Sequence, residues 1–221
     1  MERILEPEVM DGQEQSDAYA RADFAAVNQA FVERFCDLFP DQTSGRFIDL
    51  GCGPADIPVR LCRALPGVTV CAIDASPPML ALALQAVRDE GLDDRIELVE
   101  GYVPVHLSPP RRFDAVISNS LLHHLPDPDA LWRQLADVAS QGACVLVVDL
   151  MRPDSREAAE DIVQTYAADE PEVLRTDFYC SLLAAFTPQE VQAQLDRHPA
   201  LADLRVHVIS DRHLAVWGHC R

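Results

Sequence analysis

Between residues 46 and 150 the chain alternates short apolar runs with stretches of helical periodicity, and few folds accept that alternation. Residues 46–51 read as a buried strand running into a glycine turn, and 55–65 as a helix broken by Pro66 and Gly67. Residues 68–74 form a second β-rich run, and 78–89 an Ala/Leu-rich helix that stops near Gly91. Strands follow at 96–99 and 113–118, then a helix at 129–139. The run 143–150, continuously apolar over 143–148, reads as a strand covered on both faces. Upstream, Phe24, Val27, Phe31, Phe35 and Leu38 recur at helical spacing until Pro40. Downstream, helices near 155–168 and 188–197 precede two runs, 204–209 and 213–217. Only Ser210, Asp211 and Arg212 separate the runs, so they must pair antiparallel. The expected architecture is α/β: a mostly parallel seven-stranded sheet with an antiparallel terminal strand pair and helices on both faces.

At 221 residues this is one domain, long enough for a core without staples. We divide it into an N-terminal helical lid at 1–44 and a main domain at 45–221, with an insertion near 152–187. The 36 acidic side chains outnumber 18 basic ones, and the net charge of −18 argues against a nucleic-acid partner. Seven cysteines in no paired spacing indicate a reducing compartment. The first residues lack the apolar core of a signal peptide, and apolar runs such as 143–148 are too short to span a membrane. The expectation is a cytoplasmic protein with no membrane partner.

The strongest chemical signal lies between the first strand and its helix. There Gly51 and Gly53 allow a tight turn and close approach of a ligand at the carboxyl end of a strand. Asp74 stands about twenty residues on, at the end of the second strand, where a carboxylate can accept both hydroxyls of a ribose. The pair specifies a nucleoside-bearing ligand. A dinucleotide fingerprint needs a third glycine where this chain has Asp56, and an acid there repels a pyrophosphate. An NAD-dependent oxidoreductase is therefore the weaker reading.

At these residues the chain resembles the class I S-adenosylmethionine-dependent methyltransferases of the small-molecule type. The stretch Asp-Leu-Gly-Cys-Gly-Pro at 49–54 matches the family's first motif, and Ile-Asp-Ala-Ser-Pro-Pro-Met at 73–79 its second. Phe-Asp-Ala-Val-Ile-Ser-Asn at 113–119 resembles the strand before the acceptor, and Leu-Leu-His-His-Leu-Pro-Asp-Pro at 121–128 the segment after it. The resemblance implies a Rossmann-like methyltransferase fold, S-adenosyl-L-methionine as cofactor and S-adenosyl-L-homocysteine as product. It places Gly51 and Gly53 along the methionine part, Asp49 toward its amino group and Asp74 at the ribose, with Cys52 and Ala75 also among the cofactor-binding residues. Met79 or its neighbours would cover the adenine. Where many members have Gly-Asp after the third strand, this chain has Gly101-Tyr102; Tyr102 either stacks on the adenine, uses its hydroxyl, or is an ordinary strand-end aromatic. Asn119 holds cofactor or acceptor, or caps a helix. Tyr19 lies in a segment that members often fold over the cofactor.

The acceptor side is less defined. His123 and His124 are the catalytic candidates, His123 the better one, because an imidazole can accept a proton from an alcohol or phenol. Adjacent histidines do not share a helix face, and no Cys/His spacing suggests a metal, so none is expected. Tyr166, Asp169, Phe178 and Tyr179 are the candidate pocket residues. The expected partner is a small-molecule methyl acceptor, with a homodimer left open. A catalytically silent S-adenosylmethionine-binding sensor or partner subunit is the alternative, and an RNA methyltransferase is disfavoured by charge.

Overall fold

The computed structural model describes residues 1–6 and 24–221. Helix α1 (Ala25–Leu38) leads into strand β1 (Ser44–Leu50), helix α2 (Asp56–Ala64), strand β2 (Gly67–Asp74) and helix α3 (Pro77–Asp89). Strands β3 (Ile96–Glu100) and β4 (Phe113–Asn119) follow, then helix α4 (Asp129–Val138) and strand β5 (Ala139–Leu150). Helices α5 (Arg156–Tyr166), α6 (Glu172–Ala184) and α7 (Pro188–Leu195) precede strands β6 (Arg205–Val208) and β7 (His213–His219). The seven strands form one sheet in the order β3-β2-β1-β4-β5-β7-β6. The first five are mutually parallel, and β7 inserts antiparallel between β5 and β6.

Successive residues of a strand face opposite sides of a sheet, and here both sides are covered. Phe47, Val70, Ala115 and Leu146 join Phe31, Phe35 and Leu61 in the core beneath α1 and α2. Their neighbours Ile48, Cys71, Val116 and Val145 join Trp132, Leu135 and Val191 beneath α4 and α7. The indole N–H of Trp132 donates to Gln194 Oε1 at 2.8 Å, tying α4 to α7 inside that layer. Arg95 holds α2 to the start of β2, its guanidinium reaching the carbonyls of Cys62, Leu65 and Val68. Several helices start on matched caps. Ser76 Oγ accepts from the Met79 N–H before Pro77, Ser155 Oγ from Ala158, and Thr187 and Glu190 form a reciprocal capping box.

The expected elements are present, with boundaries displaced by a few residues, and all seven cysteines are free thiols. Helix α6 is the element that hydrophobic periodicity misses. Its buried residues are the consecutive Ser181, Leu182, Leu183 and Ala184, so no apolar stripe marks it. With α5 it forms a small third core against Leu150, just beyond the sheet's carboxyl edge. Among the described residues no helix is long and apolar enough to cross a membrane.

The β5–β7 pairing depends on Gly218, opposite Val145, whose φ is +149°. A Cβ there would stand 2.7 Å from the carbonyl oxygen of Asp203. Gly218→Ala should therefore destabilise the protein by ~2–3 kcal/mol and lower Tm by roughly 5–10 °C in a thermal melt. An unchanged Tm would contradict the close packing of this strand.

Candidate active site

The turn after β1 is stitched to the end of β2. The N–H groups of Gly51 and Cys52 both donate to the carbonyl of Ile73, at 2.9 and 2.8 Å. The Gly53 N–H donates to Asp74 Oδ2 at 2.7 Å, and the Ser76 N–H to Asp74 Oδ1 at 2.8 Å. Gly51 and Gly53 have φ of +78° and +52°, which side chains disfavour. At Gly51 a Cβ would also press on Leu121 at 3.0 Å, whereas at Gly53 it would meet open space. Burial raises the Asp74 carboxyl above its ordinary value, against the opposing pull of the Ser76 and Gly53 N–H groups. Beneath the turn, Asp49 is wholly buried. Burial, and after it the charge of Asp74, push its carboxyl up to about 8.

A cavity of about 390 Å³ runs along this edge of the sheet. Gly51, Gly53, Asp74, Ala75 and Met79 line one end. Gly101, Tyr102 and Asn119 line the same cavity, with Tyr102 56% exposed at the rim. Asp49 and Cys52 do not reach it. They line an adjoining cavity of about 330 Å³, which shares Gly51, Gly53 and Asn119 with the first.

The far end of the larger cavity is formed by His123, His124, Tyr166, Phe178 and Ser181. Tyr179, packed against the third core, and the exposed Asp169 do not line the cavity. Helix α6 turns Phe178 inward, and its neighbour Tyr179 necessarily points elsewhere. Tyr166 donates from its hydroxyl to Asp211 at 2.7 Å and carries the Arg212 guanidinium 3.3 Å over its ring. Tyr19 lies outside the described residues.

His123 and His124 sit in a single 3-10 turn, Leu122–His124, rather than an α-helix. Their rings lie 4.1 Å apart, tilted by 35°, so the expected divergence of adjacent histidines does not hold. His123 Nδ1 is 2.6 Å from Asp149 Oδ1. The N–H groups of Leu122 and Leu150 also donate to that carboxylate, each at 2.7 Å. Burial alone would lower the His123 imidazole, but the Asp149 charge and hydrogen bond outweigh it and hold it above its ordinary value. Burial likewise opposes Asp149, whose carboxyl the His123 contact nevertheless holds low. Asp149 was absent from the sequence candidates, although an acid at the end of an otherwise apolar run was the visible signal. Glu6 was also missed. Its Oε1 stands 3.5 Å from His123 Nε2 and 3.1 Å from His124 Nδ1, a contact made across more than a hundred residues that no local pattern encodes.

Residues 48–145 match the family model described as a methyltransferase domain. The chain is 38% identical over 94 residues to a release factor glutamine methyltransferase of Gloeobacter violaceus, covering 42% of this chain and 32% of that protein. It is 37% identical over 89 residues to a trans-aconitate 2-methyltransferase of Mycolicibacterium gilvum, covering 40% and 31%. The chain thus spans about a third of the length of these curated relatives. The plantazolicin methyltransferase BpumL, solved with a triazolic desmethylPZN analog and SAH, superposes with a TM-score of 0.71 at 14% identity, covering 95% of this chain and 90% of that one. Residues 48–145 thus match a methyltransferase domain, and the strand order, glycine turn and strand-end acid fit the class I S-adenosylmethionine-dependent methyltransferase fold.

Proposed function

We propose that the chain transfers a methyl group from S-adenosylmethionine to a small-molecule acceptor bound between the His123–His124 turn and helix α6. The observation that carries this reading is the continuity of the cavity, from Asp74 and the Gly51–Gly53 turn to the two histidines. The donor set suits that cofactor. Asp49 and Asp74 are carboxyls whose burial is eased by a cation, and the cofactor brings an ammonium and a sulfonium. Asp74 accepts from the Gly53 N–H on one oxygen and the Ser76 N–H on the other, and a carboxylate has further lone pairs for ribose hydroxyls. Met79 and Ala75 offer an apolar wall for the adenine, Gly101 and Tyr102 its outer edge, and Asn119 the boundary between donor and acceptor.

When bound, S-adenosylmethionine supplies an electrophilic methyl carbon, so the protein's work is alignment and exclusion of water. Leu121 closes on Gly51 from the β4 side, and Phe178 and Tyr166 shape the acceptor end. His123, fixed by Asp149, and His124 stand where a hydroxyl or thiol acceptor must give up its proton. The charge of −18 and a cavity of this volume support a free metabolite over a nucleic acid. Labelled methyl incorporation into a metabolite pool tests the reading. Incorporation into purified tRNA, with tight tRNA binding at moderate salt, would contradict it.

Calorimetric titration with S-adenosylhomocysteine should give one site per chain, weakened roughly 10–100-fold by Asp74→Ala through loss of charge-assisted hydrogen bonds. Undiminished affinity in that variant would remove Asp74 from the site.

Asp49 adds a pH dependence. Its carboxyl, at about 8 in the ligand-free protein, is protonated at pH 7. An ammonium bound beside it favours the carboxylate and expels that proton. Affinity should therefore rise with pH, by up to about tenfold per unit below 8, and level off above it. Asp49→Asn should flatten that slope.

The same group affects stability with a definite sign. The folded state holds the Asp49 proton more tightly than the unfolded chain does. Its contribution thus turns unfavourable as pH rises from the ordinary 3.8 to about 8, then stays constant. The cofactor-free Asp49→Asn protein should melt above the wild type at pH 8, with the gap closing toward pH 4. A gap independent of pH would contradict the buried, protonated carboxyl.

A further inference from the structure

Glu6 lies more than a hundred residues from His123 and His124 in sequence, yet the ligating atoms of the three all lie within 4.8 Å of one another. Glu6 Oε1 is 3.5 Å from His123 Nε2 and 3.1 Å from His124 Nδ1. Neither contact is a good hydrogen bond. The first is too long, and the buried His124 Nδ1 has no hydrogen-bond partner despite its short distance. These polar atoms converge without satisfying one another. An ion bound tetrahedrally at about 2.0–2.1 Å holds its ligand atoms about 3.3–3.4 Å apart. The two observed separations, 3.1 and 3.5 Å, bracket that spacing.

The surroundings are built to the same end. His123 turns Nδ1 to Asp149 at 2.6 Å, and Asp149 is itself fixed by two backbone N–H groups. A carboxylate behind the imidazole is what orients metal-binding histidines. The Ser181 hydroxyl stands 3.2 Å from both oxygens of Glu6. Three residues earlier, Arg3 clamps the same segment: its guanidinium donates to the carbonyls of His123 and Leu125 and lies 3.9 Å from the Phe186 ring centroid. The Ile4 N–H donates to the Leu183 carbonyl at 3.0 Å.

We propose that Glu6, His123 and His124 form a mononuclear site for a divalent transition ion of the zinc class, with a fourth position open to the acceptor cavity. The ion replaces a proton on His123 Nε2 and leaves Nδ1 on Asp149. Two imidazoles and one carboxylate suit such an ion, and three protein ligands leave room for an exchangeable one. The purpose of the site rests on the methyltransferase reading. A hydroxyl or thiol on the ion loses its proton to solvent more readily. Its lone pair then forms the bond to the methyl carbon, as the carbon–sulfonium bond breaks and its electron pair returns to sulfur.

The test uses the full chain, dialysed against chelator and titrated with Co2+ as a visible probe, then with Zn2+. One Co2+ per chain with the intense visible bands of four-coordination, displaced by one equivalent of Zn2+, is the expected result. Glu6→Gln and His124→Ala should each weaken Zn2+ binding at least tenfold, and Asp149→Asn 10–100-fold. Melting curves of Glu6→Gln, a near-isosteric change, confirm that the fold is intact. S-adenosylhomocysteine is titrated into the same preparations. Zn2+ binding that is absent at micromolar ion, or unchanged in both ligand variants, overturns the site, and retained S-adenosylhomocysteine binding then leaves the methyltransferase reading standing. Zn2+ bound as described without S-adenosylhomocysteine binding supports the site and overturns that reading instead.

Discussion

One carbonyl, that of Ile73, accepts from both Gly51 and Cys52, and the carboxylate one residue on accepts from Gly53. Those three bonds force the chain leaving β1 to bend across the end of β2 instead of continuing outward. The bend requires left-handed backbone at Gly51 and Gly53, which explains the two glycines better than any need for space. It also opens the edge of the sheet where the strand order reverses between β1 and β4. The cavity, with Asp74 at the bend and the two histidines along its wall, follows from that bend.

A second fixed point lies at the other end. Asp149 is buried at the end of β5 and accepts from the N–H groups of Leu122 and Leu150 while holding His123 Nδ1. Without it, the 3-10 turn after β4 would leave a backbone donor and an imidazole unpaired in the interior, a cost of several kcal/mol. The turn is therefore rigid, and the histidines are presented at a defined position beside α6. The two fixed points sit on strands of one sheet, so the distance between the Gly51–Gly53 turn and the two histidines is set by the core rather than by loops.

The architecture was legible because the parallel strands are buried on both faces and their helices carry ordinary stripes and caps. Strand-end positions such as Asp74 and Asn119 were legible for the same reason: in an open α/β sheet the end of a strand is a location, not only a residue. What escaped were features made by convergence. Helix α6 hides because its burial is concentrated in Ser181–Ala184. Tyr179 and Asp169 were grouped with Phe178 and Tyr166 by proximity in sequence, but helix rotation and loop exposure divide them. Glu6 meets His123 and His124 through tertiary packing of residues 1–6 against α6, which no spacing rule anticipates.

The proposed chemistry requires a nucleoside cofactor to lie across the Gly51–Gly53 turn with its ribose on Asp74. Determination of a crystal structure after saturation with S-adenosylhomocysteine tests this most directly. Both ribose hydroxyls should lie within hydrogen-bond distance of the Asp74 carboxylate, with the homocysteine sulfur pointing toward His123. A nucleoside seated elsewhere, or its absence from this cavity at saturating ligand, would contradict it.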